Sequence, residues 1–520
     1  MGKPPTRTTA PDAAGRAAAA VAPPETGVPA FARGPVLTVA AAVAAVLLVT
    51  SGRYGYFGDE LYFLAAGRRL DWGYADQPPL LPLLAQAMDT LAPGSLTVLR
   101  LPAVLATVGT VVLTALIARE LGGGRRAQVL AAAAAACSAQ LLGGGHYLAT
   151  STLDPFLWTM LLWLLVRWVR TRDDRLLLWA GVVTGIALNV KFLVPAFWVV
   201  AGLCLLACGP RELLRRPALA AGAVIALLAV APTVVWQAAN DWPQLDMGAA
   251  ISTEVGAGWG GRLFFLPSAL SGAGLVAGAI LLVYGVVRLL RSPRLRPYRF
   301  LGWTVLGLTV LFLAVNGRYY YVAGMFGVCW AAAAVEIERA RPARWWRWLL
   351  SWPSFAVSGM LAIVLGLPVL PIPTLAANPA VPRAPFATEE IGWPQVTTSV
   401  ADAYRALPPQ RRERTGVVTE FYWQAGAVDR YGPALGLPEP HSGNRGYWAL
   451  GRPDDTVTDI LYVGWNPGRI TPMFGEVRPV GALDNGHGVL NSSQGMPIWL
   501  ATDIRQPWSA VWPRMREMGV

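Results

Sequence analysis

The sequence has little charge for its size. Asp, Glu, Lys and Arg make up only 14% of the 520 residues, whereas 54% are hydrophobic. A water-soluble protein of this length could bury much apolar surface in a core, but it would still need far more charge on its outside. The composition therefore argues against a soluble enzyme and indicates a protein that crosses a membrane many times.

The sequence also lacks a cysteine framework and a basic domain. Its four cysteines all lie inside apolar runs, where cysteine acts as a small buried hydrophobe without a disulfide or metal pattern. The net charge is +12, yet the arginines fall between apolar runs. This distribution argues against nucleic acid as a partner and indicates membrane topology signals instead.

What is present is a series of apolar runs of about 20 residues, the length that a bilayer core requires. Arg-rich segments follow the even-numbered runs, whereas the segments between them hold few cations. By the positive-inside rule, this alternation predicts a multi-pass plasma-membrane protein with a cytoplasmic N-terminus and an outer C-terminus. We expect an α-helical polytopic membrane protein of eleven spans, within a range of ten to thirteen. The runs lie near residues 35–52, 97–118, 127–142, 152–169, 175–190, 192–209, 217–237, 263–290, 300–316, 319–336 and 349–370.

The chain divides into three predicted parts. Residues 1–34 are rich in Pro and Ala and lack a cleavable signal pattern, which predicts a disordered cytoplasmic tail. Residues 35–370 form the predicted transmembrane domain, with a large first outer loop over 52–96. Residues 371–520 are mixed and polar, with strand-like "GVVTE" and "DILYVGW" around helix-like "YWQAGAVDRYG". They predict a small α/β domain outside the membrane.

Acidic residues cluster in the first outer loop. Asp59 and Glu60, in "GYFGDELYF", follow the outer end of the first run closely, and an acid so near the bilayer needs a functional reason. A purely solvating role is the alternative, and it is our interpretation of Asp71 and Asp89. Patterns such as "DELYFLAAGRRL" predict amphipathic helices on the membrane surface.

The connection "GGGHYLATSTLDPF" brings His146 and Asp154 to the same predicted face. Asp154 precedes Pro155, so capping of a helix N-terminus is an alternative to a role in chemistry. His146 alone is weak evidence for a metal ligand, and a hydrogen-bonded loop histidine is the alternative.

Two isolated cations are predicted on this face. Lys191 is one of only two lysines in the chain, and it suits a point-charge contact to phosphate, although snorkelling to the interface is an alternative. Arg318 in "NGRYYYVAG" is the analogous case, with Tyr320 in a possible interfacial aromatic belt. Carboxylates and cations on one membrane face suit a lipid-linked phosphate substrate whose acceptor hydroxyl needs a base.

These residues give the chain a resemblance to a known family. It resembles bacterial, actinobacterial-type members of glycosyltransferase family 39, the protein mannosyltransferase and aminoarabinose transferase relatives with the GT-C fold. The motifs that carry the resemblance are "GYFGDELYF", "YADQPPLLPLL", "TSTLDPF", "LNVKF" and "GRYYYVAGMF". They span about residues 35–340.

The resemblance implies a hexosyl- or pentosyltransferase. Such an enzyme moves a monosaccharide from a polyprenyl-phosphate sugar to a glycan, lipid or protein hydroxyl of the cell envelope, with inversion at the anomeric carbon. It implies Asp59 as the general base, Glu60 as an assisting or positioning residue, and Asp154 as a residue that shapes the site. A carboxylate is chemically suited to accept the proton of an attacking hydroxyl.

The resemblance also assigns the remaining candidates. The donor phosphate would be held by Lys191, Arg318 and Tyr320. The acceptor, or the order of the loop, would depend on Asp76, Gln77 and His146. Some members of the family use a divalent metal and others none, so the sequence predicts no certain cofactor and leaves a metal open.

Two other functions are compatible with a polytopic chain. A transporter or flippase for an envelope precursor would place its essential charges at the bilayer midplane, often in two related halves, whereas the charges here cluster at one predicted face. A membrane-anchored scaffold whose outer domain binds envelope partners is the third interpretation.

Overall fold

The computed structural model describes residue 2 and residues 27–258, 260–340, 343–384 and 386–519. Most of the predicted disordered tail therefore lies outside the described residues. Within these residues, sixteen α-helices precede the sheet-bearing C-terminal part. They are α1 Arg33–Thr50, α2 Gly58–Gly67, α3 Leu80–Leu91, α4 Leu96–Glu120, α5 Arg125–Ala136, α6 Ala139–His146, α7 Thr150–Thr171, α8 Arg175–Val190, α9 Val194–Cys208, α10 Pro217–Ala239, α11 Pro243–Gly258, α12 Gly261–Ala273, α13 Ala277–Arg291, α14 Arg299–Ala314, α15 Phe326–Ala340 and α16 Trp352–Gly366.

The number of membrane spans is only partly settled by helix length. Six described helices are long and apolar enough to cross a membrane, or up to nine if each of three bent helix pairs is one span. The bent pairs are α5 with α6, α12 with α13, and α16 with the short 3₁₀ helix before it. Two further predicted spans correspond to α8 and α9, of only 16 and 15 residues. The polytopic fold class is confirmed, and the count of eleven stays a prediction.

The bend of 59° between α5 and α6 has a local cause. The Oγ of Ser138 accepts a hydrogen bond from the Leu141 amide at 3.2 Å and so caps the start of α6. The same hydroxyl donates to the Gly272 carbonyl of α12 at 2.8 Å. The bend therefore brings α6 and α12 together, at the place where the cavity described below opens.

The Arg-rich segments meet at one end of the helical bundle. Arg170 at the end of α7 donates to the buried carboxylate of Glu120 at the end of α4, at 2.6 Å. Glu338 of α15 accepts from the amide of Gly124 at 2.6 Å and so caps the start of α5. This clustering is what the charge alternation predicts, and the assignment of that end to the cytoplasm stays a prediction.

The C-terminal part carries a mixed five-stranded sheet, which confirms the predicted small α/β unit. The elements are α17 Ile372–Ala377, α18 Trp393–Arg405, α19 Pro409–Arg412, β1 Thr415–Thr419, α20 Tyr422–Tyr431, β2 Pro440–Ser442, β3 Asp459–Val463, β4 Phe474–Ala482, β5 Pro497–Ile504 and α21 Trp508–Val511. Strands β1, β2 and β3 are parallel and pair in the order β2-β1-β3, and β5 pairs with both β3 and β4 in antiparallel register. Strands β1 and β3 and helix α20 occupy the predicted segments.

Helix α2 is not the amphipathic surface helix that the sequence predicts. Every residue of α2 except Asp59 is buried, because α20 packs on the side that the bundle leaves open. Gly426 of α20 permits the close approach, since a Cβ there would lie 3.0 Å from the Cβ of Leu61. Periodicity within one helix could not reveal this second partner.

Glycine also sets the distance between α8 and α10. The two helices cross at Gly181 and Gly222, and a Cβ on Gly181 would overlap the Gly222 backbone. Overpacking of this kind costs about 1–3 kcal/mol.

We expect Gly181→Ala to lower the Tm of the purified protein in detergent by several degrees. Gly202→Ala in α9 is the matched control, because no atom lies within 4 Å of its added methyl group. Equal Tm values for the two variants would contradict the close crossing.

Candidate active site

A cavity of about 1060 Å³ lies where one end of the helical bundle meets the C-terminal part. The bundle contributes three charged side chains to its lining, Asp59, Glu254 and Arg318. The C-terminal part contributes aromatic side chains, among them Tyr422 and Trp423. The site is therefore built jointly by the two parts of the chain.

Asp59 lies in the first turn of α2, where the helix dipole favours a carboxylate. Its Oδ1 accepts hydrogen bonds from the Tyr422 hydroxyl at 2.6 Å and from the Trp423 indole N–H at 2.9 Å. Burial raises the pKa of Tyr422 well above its usual value, so the hydroxyl keeps its proton at neutral pH. No described residue donates to Oδ2, which leaves that oxygen free to accept a proton.

Glu60 has the opposite surroundings, although it is the next residue. Its side chain is 0% exposed and forms a bidentate pair with Arg100, at 2.9 and 2.8 Å. The same carboxylate accepts from the amides of Phe57 and Leu148, each at 2.9 Å. Glu60 does not line the cavity, and its hydrogen bonds fix the start of α2.

Arg100 links Glu60 to a buried cluster that sequence reasoning missed. Its Nη1 lies 2.7 Å from the Ser51 carbonyl oxygen and 3.0 Å from His146 Nε2. Glu390, from the chain after α17, lies 3.0 Å from the same His146 nitrogen. His146 is thus 1% exposed and lies in this cluster and not in the cavity lining. The signal that could have found Arg100 is a lone arginine within an apolar run.

A second group of charges, on other segments of the chain, also lines the cavity. Glu254 of α11 accepts from Arg318 Nη2 at 2.7 Å and from Arg445 Nη2 at 2.8 Å. Arg445 also donates through Nη1 to the Tyr422 hydroxyl at 2.9 Å. One chain of hydrogen bonds therefore runs from Arg318 to Asp59. No local pattern marks Glu254 or Arg445, because only the fold brings them together.

Lys191 and Asp154 lie beside the cavity without lining it. The Lys191 Nζ is 5.3 Å from the ring centroid of Tyr320 and 4.5 Å from that of Tyr321, which is a cation–π geometry. Tyr320 itself lines the cavity. Asp154 is buried within α7, and the charge of Lys191 acts on it. The alternative that Asp154 caps a helix is wrong, since α7 begins at Thr150 with Ala149 before it.

Asp76 and Gln77 also lie outside the cavity lining. Asp76 Oδ1 accepts from the Tyr62 hydroxyl at 2.8 Å, and burial raises the pKa of the Asp76 carboxyl. Gln77 is 4% exposed. Tyr62 packs edge-to-face on Tyr422, with ring centroids 5.3 Å apart. Asp76 therefore supports the residue that contacts Asp59.

No group of three or more His, Cys, Asp or Glu side chains that could hold a metal ion is found in the described part of the chain. The buried side chains of Glu60, His146 and Glu390 lie around the guanidinium of Arg100. We therefore assign no metal ligands among the described residues.

Comparison with known proteins identifies the fold. Residues 76–236 match the family model described as dolichyl-phosphate-mannose-protein mannosyltransferase. The structure is similar to apo ArnT from Cupriavidus metallidurans, with a TM-score of 0.60 and 15% identity over 91% of this chain and 98% of ArnT. With ArnT bound to undecaprenyl phosphate the TM-score is 0.58, at 15% identity over 90% and 97% of the two chains. The chain therefore has the same overall fold as ArnT. No curated protein matches the sequence.

The similarity to ArnT supports the predicted fold, and it extends over the C-terminal part as well as the bundle. The family match covers less than half of the chain; it includes Asp76, Asp154 and Lys191 and ends before Arg318. Membership of an actinobacterial-type group stays a prediction.

The Arg100 cluster gives a prediction about stability. Arg100→Gln keeps a polar side chain but leaves the carboxylates of Glu60 and Glu390 buried without their cation, and breaking a buried pair costs about 3–5 kcal/mol. We expect a clearly lower Tm in detergent. Arg53→Gln removes an exposed arginine from the same end of the bundle and should change Tm little. A wild-type Tm for Arg100→Gln would show that the cluster does not hold α2.

Proposed function

We propose that the protein is a membrane glycosyltransferase that moves a monosaccharide from a polyprenyl-phosphate sugar to a hydroxyl of a cell-envelope glycan, lipid or protein. The observation that carries this proposal is a single cavity lined by both a carboxylate, Asp59, and a guanidinium, Arg318. The similarity to ArnT bound to undecaprenyl phosphate supports a lipid-linked donor. The cavity then opens on the outer side of the plasma membrane.

Asp59 is the general base of this proposal. The acceptor hydroxyl gives its proton to Oδ2, and its oxygen forms a bond to the anomeric carbon as the bond from that carbon to the phosphate oxygen breaks. The products are the glycosylated acceptor, with inverted configuration, and polyprenyl phosphate. A positioned general base contributes about 10²- to 10⁴-fold to such a rate.

The cations of the cavity act on the leaving group. Negative charge builds up on the departing phosphate, and a preorganised guanidinium stabilises it more in the transition state than in the ground state. Arg318 lies in the cavity lining for this role, with Tyr320 beside it. Lys191 adds positive charge behind the Tyr320 and Tyr321 rings, with which it makes cation–π contacts. Glu254 holds Arg318 in place and competes with the phosphate for it.

The other candidate residues have supporting roles in this proposal. Glu60 and His146 order the start of α2 through Arg100. Asp76 orders the loop behind Tyr422 through Tyr62, and Gln77 is buried beside it. Asp154 interacts electrostatically with Lys191. The transporter alternative is less well supported, because the charges lie at one end of the bundle and a transporter places them at the midplane.

The assignment of Asp59 is tested by Asp59→Asn. An amide of the same shape cannot accept the proton, so we expect transfer from a polyprenyl-phosphate sugar to fall by at least about 10²-fold, measured with reconstituted enzyme at equal protein amounts. The control is Asp402→Asn, which alters a carboxylate that is 67% exposed on the C-terminal part. Activity of Asp59→Asn close to that of the control would remove Asp59 as the base.

A further inference from the structure

We infer that the C-terminal part is a working component of the active site, because Tyr422 and Arg445 are positioning residues that orient the carboxylate of Asp59. This inference rests on the proposed role of Asp59 as the base. The base is held by side chains that lie more than 360 residues away in the sequence and belong to a different part of the fold.

The direction of the hydrogen bonds is fixed by proton counting. A guanidinium can only donate, so the Tyr422 hydroxyl accepts from Arg445 Nη1 at 2.9 Å. The single hydroxyl proton is then available for Asp59 Oδ1 at 2.6 Å. The Arg445 guanidinium also lies over the Tyr422 ring, 5.0 Å from its centroid. Arg445 thus polarises the Tyr422 hydroxyl, which donates its proton to one particular oxygen of the base, Oδ1.

The second donor to Oδ1 depends on a glycine. A Cβ on Gly58 would overlap the ring of Trp423, so only glycine at this position lets the indole approach the start of α2. From there the indole N–H reaches Asp59 Oδ1 at 2.9 Å. With two donors on Oδ1, the carboxylate cannot rotate without losing both, and Oδ2 stays available to the substrate.

Ion pairs keep α20 in register over the first outer loop. Arg68 pairs with Asp429, and Arg430 of α20 lies 3.4 Å from the carboxylate of Asp89. Arg69 pairs with Glu439, the residue before β2. Each pair joins the loop that carries Asp59 to the C-terminal part. Individually they are weak because they are partly exposed, but together they define one docking geometry.

The test is Tyr422→Phe, which keeps the packed ring and removes only the hydroxyl. We expect kcat to fall by about 10- to 100-fold, the range for a hydrogen bond to a charged group, with the donor KM little changed. Tyr447→Phe is the matched control. Its ring packs on Tyr62 from the same 3₁₀ turn as Arg445, and its buried hydroxyl has no hydrogen-bond partner among the described residues. It should behave as wild type.

The outcomes separate this inference from the proposed function. Wild-type kcat for Tyr422→Phe, together with an inactive Asp59→Asn, overturns the positioning role and leaves the base assignment intact. An active Asp59→Asn overturns the proposed function itself. A loss of activity that appears only as a raised donor KM, with kcat unchanged, also overturns the inference. If Tyr422→Phe does not fold, Trp423→Phe removes the other donor and carries the same expectations.

Discussion

The buried pair between Glu60 and Arg100 is the contact on which the active-site geometry depends. It fixes the first turn of α2 to the start of α4, and α20 covers the same turn from the other side. A buried ion pair adds little net stability compared with apolar packing, but breaking it is costly, so it favours one arrangement. In this chain the favoured arrangement directs the neighbouring carboxylate of Asp59 into the cavity.

Two adjacent acids thereby acquire different roles. Consecutive residues of an α-helix point about 100° apart, so one carboxylate faces the bundle while the other faces the cavity. Glu60 is saturated by four donor groups and has no capacity left for a substrate. Asp59 keeps one oxygen to which no described residue donates. The different roles of Glu60 and Asp59 therefore follow from helix geometry and from the segments that pack on each side of α2.

Much of the fold and part of the site could be predicted from the sequence. Hydrophobic runs and alternating arginine gave the polytopic class, and Asp59, Arg318 and Tyr320 do line one cavity. Local patterns could not reveal Tyr422, Arg445 or Glu254, because their roles arise from contacts between distant segments. The burial of α2 was missed for the same reason. The number of spans could not be predicted with certainty, because the length of an apolar run does not show whether its helix is continuous, bent or short.

In the proposed mechanism, the base and the leaving phosphate share one cavity. The most direct measurement is a cryo-EM structure of the full chain in nanodiscs with bound polyprenyl phosphate. We expect the phosphate within hydrogen-bond distance of the Arg318 guanidinium, in the cavity lined by Asp59, with the lipid chain leaving toward the bilayer. Phosphate density at another place, with Arg318 still paired to Glu254 and no lipid in this cavity, would contradict the account.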